Sequence, residues 1–283
     1  MTAQRIWFNG KLAPASETCI TPNDRGLLLG DGLFETLLAL NGRIIRLDRH
    51  IARLAEGAAV MKIPLPYETR TLRTAARETL EANGLIDVPR ASLRITLTRG
   101  PSERGLALPA TPRPSLMITA AKAAPPPKGL TLITSTVKKP AASPASSLKT
   151  LNYTDHVMAR LEADAAGMDD ALMLTTSGGI ACSTIGNVFA VTREGLVTPA
   201  ADGAIRAGIT RADVLDAARQ HHMSVAETEV TSHMLQAANE IFLTNSLWGI
   251  CPVTGLDGAT KVSGPVTKKL AQALDAAWAS DLV

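Results

Sequence analysis

The chain is predicted to fold as two domains of mixed α and β content, an α+β architecture, and three observations carry that expectation. Two Asn-Gly pairs near the N-terminus, Asn9-Gly10 and Asn41-Gly42, each sit between apolar runs, which predicts two tight hairpins. A proline-rich stretch, Ala123-Ala124-Pro125-Pro126-Pro127, interrupts the pattern as a stiff extended connection. Beyond it, strand-like runs alternate with helical ones. The expected boundaries are residues 1–122 for a small N-terminal domain, 123–129 for the linker and 130–283 for a larger C-terminal domain.

A length of 283 residues is enough for two cores of ordinary size. The composition, 46% hydrophobic and 19% charged, is that of a soluble globular protein, and the predicted setting is cytoplasmic. Net charge is only +3 with the basic residues dispersed, so nothing argues for a nucleic-acid partner. Apolar runs fall short of membrane-spanning length, and the first residues lack the apolar core of a signal peptide. Cys19, Cys182 and Cys251 are odd in number and far apart, which disfavours a disulfide framework or a metal site.

In chain order, residues 5–8 and 11–13 are the arms of the first hairpin, and residues 36–40 and 43–45 those of the second, because Asn-Gly accepts the two positive-φ positions of such turns. Between them, Gly26, Gly30 and Gly32 mark a structural loop with backbone paths closed to other residues. Asp48 is read as the cap of a helix whose inward face is Ile51, Leu54, Ala55, Ala58 and Met61, which leaves Arg53 off the apolar stripe. A second helix over 71–83 buries Leu72, Ala75, Ala76, Thr79 and Leu80 and stops at Asn83-Gly84. Residues 92–98 alternate at strand period. They run into Arg99-Gly100-Pro101-Ser102-Glu103-Arg104-Gly105, either a solvated loop or a grip on a carboxylate.

Past the linker, strands are expected over 130–137, 171–175, 187–191 and 240–244. Pro140 to Ser147 form a turn-rich approach to Lys149, after which Val157, Met158, Leu161 and Ala165 repeat at helical spacing until Gly167. On spacing alone Lys149 is a solvated cation just outside the first turn of that helix. In Gly208-Ile209-Thr210-Arg211-Ala212-Asp213, Thr210 and Asp213 read as a capping pair, with Val214, Leu215, Ala218 and His222 behind them. Free amides there make either an ordinary cap or an anion site. Asn245-Ser246-Leu247 follow an apolar strand as a polar turn.

Lys149-Thr150-Leu151-Asn152-Tyr153 resembles the cofactor-lysine motif of the fold-type IV pyridoxal-phosphate enzymes. That class contains the D-amino-acid and branched-chain aminotransferases and aminodeoxychorismate lyase. Gly30-Asp31-Gly32-Leu33-Phe34-Glu35, His50-Ile51-Ala52-Arg53-Leu54, Gly208-Ile209-Thr210-Arg211 and Asn245-Ser246-Leu247 are similar to further family motifs in the family's order, so the likeness covers nearly the whole chain. It implies pyridoxal 5'-phosphate bonded to Lys149, with Arg53, Ile209, Thr210 and Ser246 on its phosphate and Asn245 beside it. It also implies Phe34 as a wall on the substrate side, Tyr153 near the cofactor's phenolic oxygen, and His50 as a structural partner. Arg104, or alternatively Arg99, is expected to meet the carboxylate of a small amine or amino-acid substrate. A homodimer is implied as well.

One position departs from the family. Residues 177–189 match a segment that carries glutamate where this chain has Cys182, and a neutral thiol is a weak substitute for a carboxylate at the pyridine nitrogen. That departure, with the wording Asn-Ser-Leu, gives aminodeoxychorismate lyase as the expected activity, forming 4-aminobenzoate and pyruvate. The alternative is an aminotransferase for D- or branched-chain amino acids. A third possibility, suggested only by Cys182, is a cofactor-holding protein with little turnover.

Overall fold

Both Asn-Gly pairs turn the chain as expected: φ is 44° and 47° at Asn9 and Asn41, and 90° and 78° at Gly10 and Gly42. The computed structural model describes residues 4–280. The chain divides into two compact units, one comprising residues up to Pro125 with Leu148–Asn152, the other Pro126–Ser147 with the chain from Tyr153 onward. Mixed α and β content, the class expected, is what the structure has. Leu148–Asn152 belong to the first unit, although the sequence reading assigns them to the larger domain. The reason is backbone pairing at long range: Phe34 N donates to Lys149 O and Leu151 N donates to Gly32 O, both at 2.9 Å.

The first unit contains β1 (Arg5–Phe8), β2 (Lys11–Pro14), α1 (Arg25–Leu29), β3 (Gly32–Leu40), β4 (Arg43–Ile44), α2 (Leu47–Val60), α3 (Thr69–Ala82), β5 (Arg90–Thr98) and β6 (Ser115–Lys122). Its antiparallel sheet runs β2-β1-β6-β5-β3-β4. Alternation along β3 and β5 sends Leu33, Leu37, Leu93, Ile95 and Leu97 to one face, where α2 and α3 close the core with Ile51, Leu54, Leu72 and Leu80. The α3 face matches the expectation at all five positions. At the start of α2 the expectation fails: Arg46 occupies the cap, and Asp48 lies inside the first turn, paired with Arg73 at 2.6 Å. The gain is a surface ion pair, which is worth little to stability. Asp24, fully buried, caps α1 by accepting from Gly26 N at 2.8 Å and also takes the hydroxyls of Thr98 and Ser115.

The second unit contains β7 (Leu130–Lys139), α4 (Pro144–Ser147), α5 (Thr154–Ala165), β8 (Asp170–Thr175), β9 (Ile180–Ser183), β10 (Asn187–Val191), β11 (Leu196–Pro199), α6 (Ile209–Gln220), β12 (Val225–Thr228), α7 (Ser232–Ala237), β13 (Glu240–Asn245), β14 (Gly249–Leu256), β15 (Ala259–Thr260) and α8 (Pro265–Ser280). The mixed sheet runs β12-β11-β10-β13-β14-β7-β8-β9, with β15 paired to β14, and it curls so that β9 also lies beside β10 and β11. Phe189 and Phe242, opposite each other on β10 and β13, stack at 5.0 Å between centroids in its interior.

Two helices differ from their sequence reading. The periodic apolar residues of α5 face outward, with Val157 at 53%, Met158 at 49% and Leu161 at 53% exposure. The helix instead packs through the small residues Ala159 and Ala163, which admit close approach to β7 and β8. On α6 the expected capping pair does not form: Thr210 and Asp213 both lie inside the helix, and Asp213 accepts from the Trp278 indole at 3.1 Å. His222, expected on the buried face, lies past the helix end and is exposed. Among the described residues, no helix is long and apolar enough to cross a membrane.

Candidate active site

In the first unit the candidate residues gather at the N-terminal end of β3. There β5 covers one edge, and residues 149–151 pair with the other through the Phe34 and Gly32 backbone bonds and the Leu33–Thr150 bridge. Gly32 is required for this: a Cβ would collide with Leu97 O and sit 2.8 Å from Leu151 Cδ1. The half-buried Lys149 is thereby held with Nζ 4.1 Å from the centroid of the Phe34 ring, a cation–π contact.

Phe34 and Glu35 are neighbours on a strand and therefore point to opposite faces. Glu35, on the core face, accepts from Arg53 Nε at 2.8 Å and Arg53 Nη2 at 2.7 Å, and its Oε2 lies 2.7 Å from His50 Nδ1. Burial raises the carboxyl pKa, but the His50 and Arg53 hydrogen bonds outweigh it and lower Glu35 to about 2. His50 goes the other way. Burial, helped by the charges of Arg53 and Lys149, depresses its pKa despite Glu35, so a neutral ring donates Nδ1–H to the carboxylate. His50 is thus the structural partner expected, and Arg53, off the apolar stripe of α2, is fixed in a bidentate grip.

Two members of this group are not singled out by the motifs. Glu35 orients Arg53, and Arg94 sets its guanidinium carbon 3.7 Å from the Phe34 centroid. The available signal is parity: a charged residue at an alternating position of a predicted strand opposite Thr36, two residues from Phe34.

Arg99 and Arg104 separate sharply. Arg99 is buried, grips Asp31 through Nε at 2.7 Å and Nη2 at 3.0 Å, and donates to the carbonyls of Met61 and Lys62. These bonds commit it to holding the loop, which favours Arg104 over Arg99 for the role expected at a substrate carboxylate. Arg25 binds the same Asp31 at 2.7 Å and reaches the carbonyls of Gly105 at 3.0 Å and Ala107 at 3.3 Å. Burial raises the Asp31 pKa, but the two guanidinium partners lower it overall. Arg104 is exposed on the loop so anchored.

In the second unit, α6 starts at Ile209 with Gly208 as its cap residue, which offers no side-chain acceptor. The first-turn amides of a helix have no acceptor within it, and the dipole concentrates positive potential there. Ile209 and Thr210 are buried at this end. On β13, the Thr244 hydroxyl is buried without a hydrogen-bond partner, and the half-buried Ser246 lies two residues on. The Asn245 carbonyl oxygen accepts from Leu247 N at 3.0 Å and Trp248 N at 2.8 Å, so Asn245 shapes the turn that carries Ser246.

Cys182 lies on β9, buried among Ala181, Ala204 and Ile205. Burial pushes its thiol pKa up, only partly countered by the positive charges of Lys139 and Arg206, so the thiol is neutral at neutral pH. Tyr153 stacks on His156 at 4.4 Å between centroids, and its hydroxyl accepts from Arg206 Nη1 at 3.4 Å. The His156 Nδ1 proton goes to Thr184 O at 2.6 Å, which fixes that ring's tautomer.

Taken unit by unit, the donors suit the two ends of a phosphate-bearing aldehyde. In the second unit the uncapped α6 amides, the Thr210 and Ser246 hydroxyls and the buried Thr244 hydroxyl without a hydrogen-bond partner match phosphate oxygens, and in the first unit Arg53 offers a guanidinium and Lys149 an amine that can condense with a carbonyl. Gly208→Ala tests the α6 end, because a Cβ there would collide with Asn187 Oδ1, whose amide is pinned to Arg206 O at 3.0 Å. The expected cost is about 1–3 kcal/mol of stability. Inorganic phosphate is expected to raise the Tm of the wild type clearly and that of the variant less; thermal unfolding with and without phosphate measures both.

A family model described as amino-transferase class IV matches residues 32–256. A putative branched-chain-amino-acid aminotransferase of Methanocaldococcus jannaschii is 34% identical over 272 residues, covering 94% of this chain and 93% of the relative. A D-alanine aminotransferase of Bacillus licheniformis is 30% identical, covering 95% of each. Among solved structures, a branched-chain amino acid aminotransferase of T.th., complexed with N-(5'-phosphopyridoxyl)-L-glutamate, superposes with a TM-score of 0.90 at 28% identity, covering 99% of this chain and 95% of that one. A putative 4-amino-4-deoxychorismate lyase from Legionella pneumophila gives a TM-score of 0.86 at 29% identity, covering 93% and 96%.

Proposed function

The chain belongs to the class IV aminotransferase family, and from that premise we propose that it is a pyridoxal-phosphate-dependent amino-acid aminotransferase, for D- or branched-chain amino acids as its relatives' names describe theirs. The observation that carries this reading is the reach of the similarity. Relatives named as aminotransferases match over more than nine-tenths of both chains, and Arg53, Lys149, Ile209, Thr210 and Ser246 all fall inside the family match. The phosphopyridoxyl ligand in the solved branched-chain aminotransferase supports the cofactor. This preference is set above the lyase activity expected from Cys182 and the wording Asn245-Ser246-Leu247, because the relatives named as aminotransferases match along nearly the whole chain.

Pyridoxal phosphate, when bound, supplies an aldehyde that condenses with amines and a ring that withdraws electrons from the carbon beside them. Lys149 would bond to it, give way to the substrate's amine and then carry the proton to and from the substrate's α-carbon. The α6 amides at Ile209 and Thr210, the Ser246 hydroxyl and the Arg53 guanidinium would hold the phosphate. Phe34 would fix the Lys149 amine against its ring, Tyr153 would meet the phenolic oxygen, and Arg104 would receive the α-carboxylate. A homodimer is part of the same reading. Leu27, Leu28, Leu106 and Leu108 of the first unit are more than half exposed, and apolar exposure on that scale suits association.

Aminodeoxychorismate lyase is the second reading. Two observations favour it: the likeness to the Legionella structure, and Cys182, whose buried neutral thiol cannot supply the negative charge of the glutamate that the resemblance implies at the pyridine nitrogen. Separate assays decide. Protein loaded with pyridoxal phosphate is given D- and L-amino acids in one series and aminodeoxychorismate in another. Pyridoxamine phosphate formed from an amino acid supports the aminotransferase. Pyruvate with 4-aminobenzoate, and no pyridoxamine phosphate in the first series, overturns it in favour of the lyase.

A further inference from the structure

Lys139, the last residue of β7, is a buried lysine with no part in the chemistry assigned so far. An ammonium has three N–H donors, and among the described residues this one has a single acceptor, the Ser146 carbonyl at 3.3 Å. A buried cation so lightly satisfied costs the fold stability. Its neighbours show what the charge acts on. Strand pairing sets Lys139 opposite Thr175 on β8, and Met173 opposite Cys182 on β9. Opposed residues share a face and alternate residues return to it, so Lys139 and Cys182 lie on one face of the sheet with β8 between them. It is the face on which Met173 packs against Ala159 and Ala163 of α5.

Arg206 brings a second cation to the same corner. Ile205, its neighbour in sequence, packs with Cys182, and Arg206 Nη1 donates at 3.4 Å to the hydroxyl of Tyr153, which stacks on His156 at the start of α5. The loop after Lys139 meets the loop before Arg206 at Gly203, where a Cβ would lie 2.6 Å from Ala141 O. Lys139 and Arg206 each act on the Cys182 thiol more strongly than the one carboxylate that opposes them, Asp170, whose Oδ1 is engaged by the Thr184 hydroxyl and Ala171 N. Asp155, exposed in the first turn of α5, acts on Lys139 more weakly than Arg206 does. The potential at the Cys182 sulfur is therefore positive, the opposite of what a glutamate there would produce.

A pyridine nitrogen beside an acidic side chain is kept protonated, and beside a cation it is kept bare. We propose that Lys139, with Arg206, gives this chain the second arrangement: the two cations hold the subsite at Cys182 positive, so that the cofactor ring sits there with its nitrogen unprotonated and accepting the Cys182 S–H. Lys139 is a positioning residue in this scheme, acting on the ring through charge. The inference rests on the cofactor reading proposed above, with Cys182 at the ring nitrogen, and it holds for the aminotransferase and the lyase alike.

The test is nitrogen-15 NMR of protein loaded with pyridoxal phosphate labelled at the ring nitrogen, whose chemical shift separates the protonated from the bare form. Wild-type protein should show the bare form at neutral pH. Over about pH 5 to 9, Lys139→Met should raise the midpoint of the nitrogen's titration by about one pH unit or more, or bring it into that range from below, since a nearby charge acts on that scale. Lys139→Arg, which keeps the charge, should restore the wild-type behaviour. Lys139→Gln, which keeps an N–H for the Ser146 carbonyl, gives the same reading should the methionine variant fail to fold. A protonated nitrogen in the wild type at neutral pH overturns the proposal, and so do spectra that loss of the lysine charge leaves unchanged across the range. Borohydride reduction and peptide mapping of the same samples separate this from the premise. Cofactor fixed at position 149 with a protonated nitrogen sinks only the Lys139 assignment, whereas no fixation sinks the cofactor-lysine reading and this inference with it.

Discussion

Lys149→Ala is expected to lower turnover of the loaded protein by roughly 1,000-fold or more, because one amine is assigned both the covalent hold on the cofactor and the movement of the α-carbon proton. General acid–base groups alone contribute about 100- to 10,000-fold. The side chain is half-buried and its ammonium contacts the Phe34 face, so removing it leaves the backbone pairing of residues 149–151 with β3 in place. Folding should therefore survive, and the Tm of the variant without cofactor should stay close to that of the wild type. Two measurements check the assignment together. Borohydride followed by peptide mass analysis should find the reduced cofactor at position 149 in the wild type and nowhere in the variant, and steady-state rates should show the loss in kcat. A variant that retains wild-type turnover, or a wild type labelled at another lysine, removes Lys149 from the reaction.

Much of the local structure was legible because it is set by neighbours in sequence. Asn9-Gly10 and Asn41-Gly42 dictate their turns by conformation alone, and the α3 stripe is a pattern of period 3.6 with nothing to contest it. The misreadings come where a partner far along the chain overrides a local preference. Asp48 pairs with Arg73 instead of capping α2, and Asp213 takes the Trp278 indole instead of completing a capping pair. On α5 the apolar period was real, but the close approach of β7 and β8 favours Ala159 and Ala163, which turns the larger residues outward.

For the candidate site the same division holds. Lys149, Arg53, Ile209 and Thr210 are picked out as candidates by short motifs, because a lysine, an arginine and an uncapped helix start can each be recognised from their sequence neighbours. Arg99 and Arg104 look alike in sequence. Only Asp31, 68 residues from Arg99, decides that the first of them is a strut. Glu35 is a plain strand residue until the fold brings His50 and Arg53 against it, and Arg94 becomes noticeable only once strand register seats it over Phe34.

Glu35→Gln is expected to destabilise the first unit by about 3 kcal/mol, a drop in Tm of roughly 6 °C, since it removes one charge from a buried pair and turns an amide NH2 toward the Arg53 guanidinium. The neutral His50 ring loses less, because the amide oxygen of glutamine can still accept its Nδ1–H. The pH dependence gives the assignment its sign. Glu35 is lowered from an ordinary 4.5 to about 2, so its stabilising effect is complete above pH 4.5 and is lost as pH falls through about 2. The difference in Tm between wild type and variant should therefore be constant from pH 7 to 8, grow slightly below about 6.5 because Glu35 also holds the His50 pKa up, and then lose the Glu35 contribution below 4.5, which is nearly gone by about pH 2. His50, whose folded pKa is depressed below 6.5, adds its own loss of stability on acidification, because a proton bound in the unfolded chain is refused in the fold. That contribution begins at higher pH than the one from Glu35 and should persist in the variant, so the residual acid sensitivity of Glu35→Gln reports the histidine. Thermal unfolding across pH resolves both. A gap between the two proteins that persists undiminished to about pH 2 would remove the Arg53–Glu35 charge pair as the source of the stabilisation.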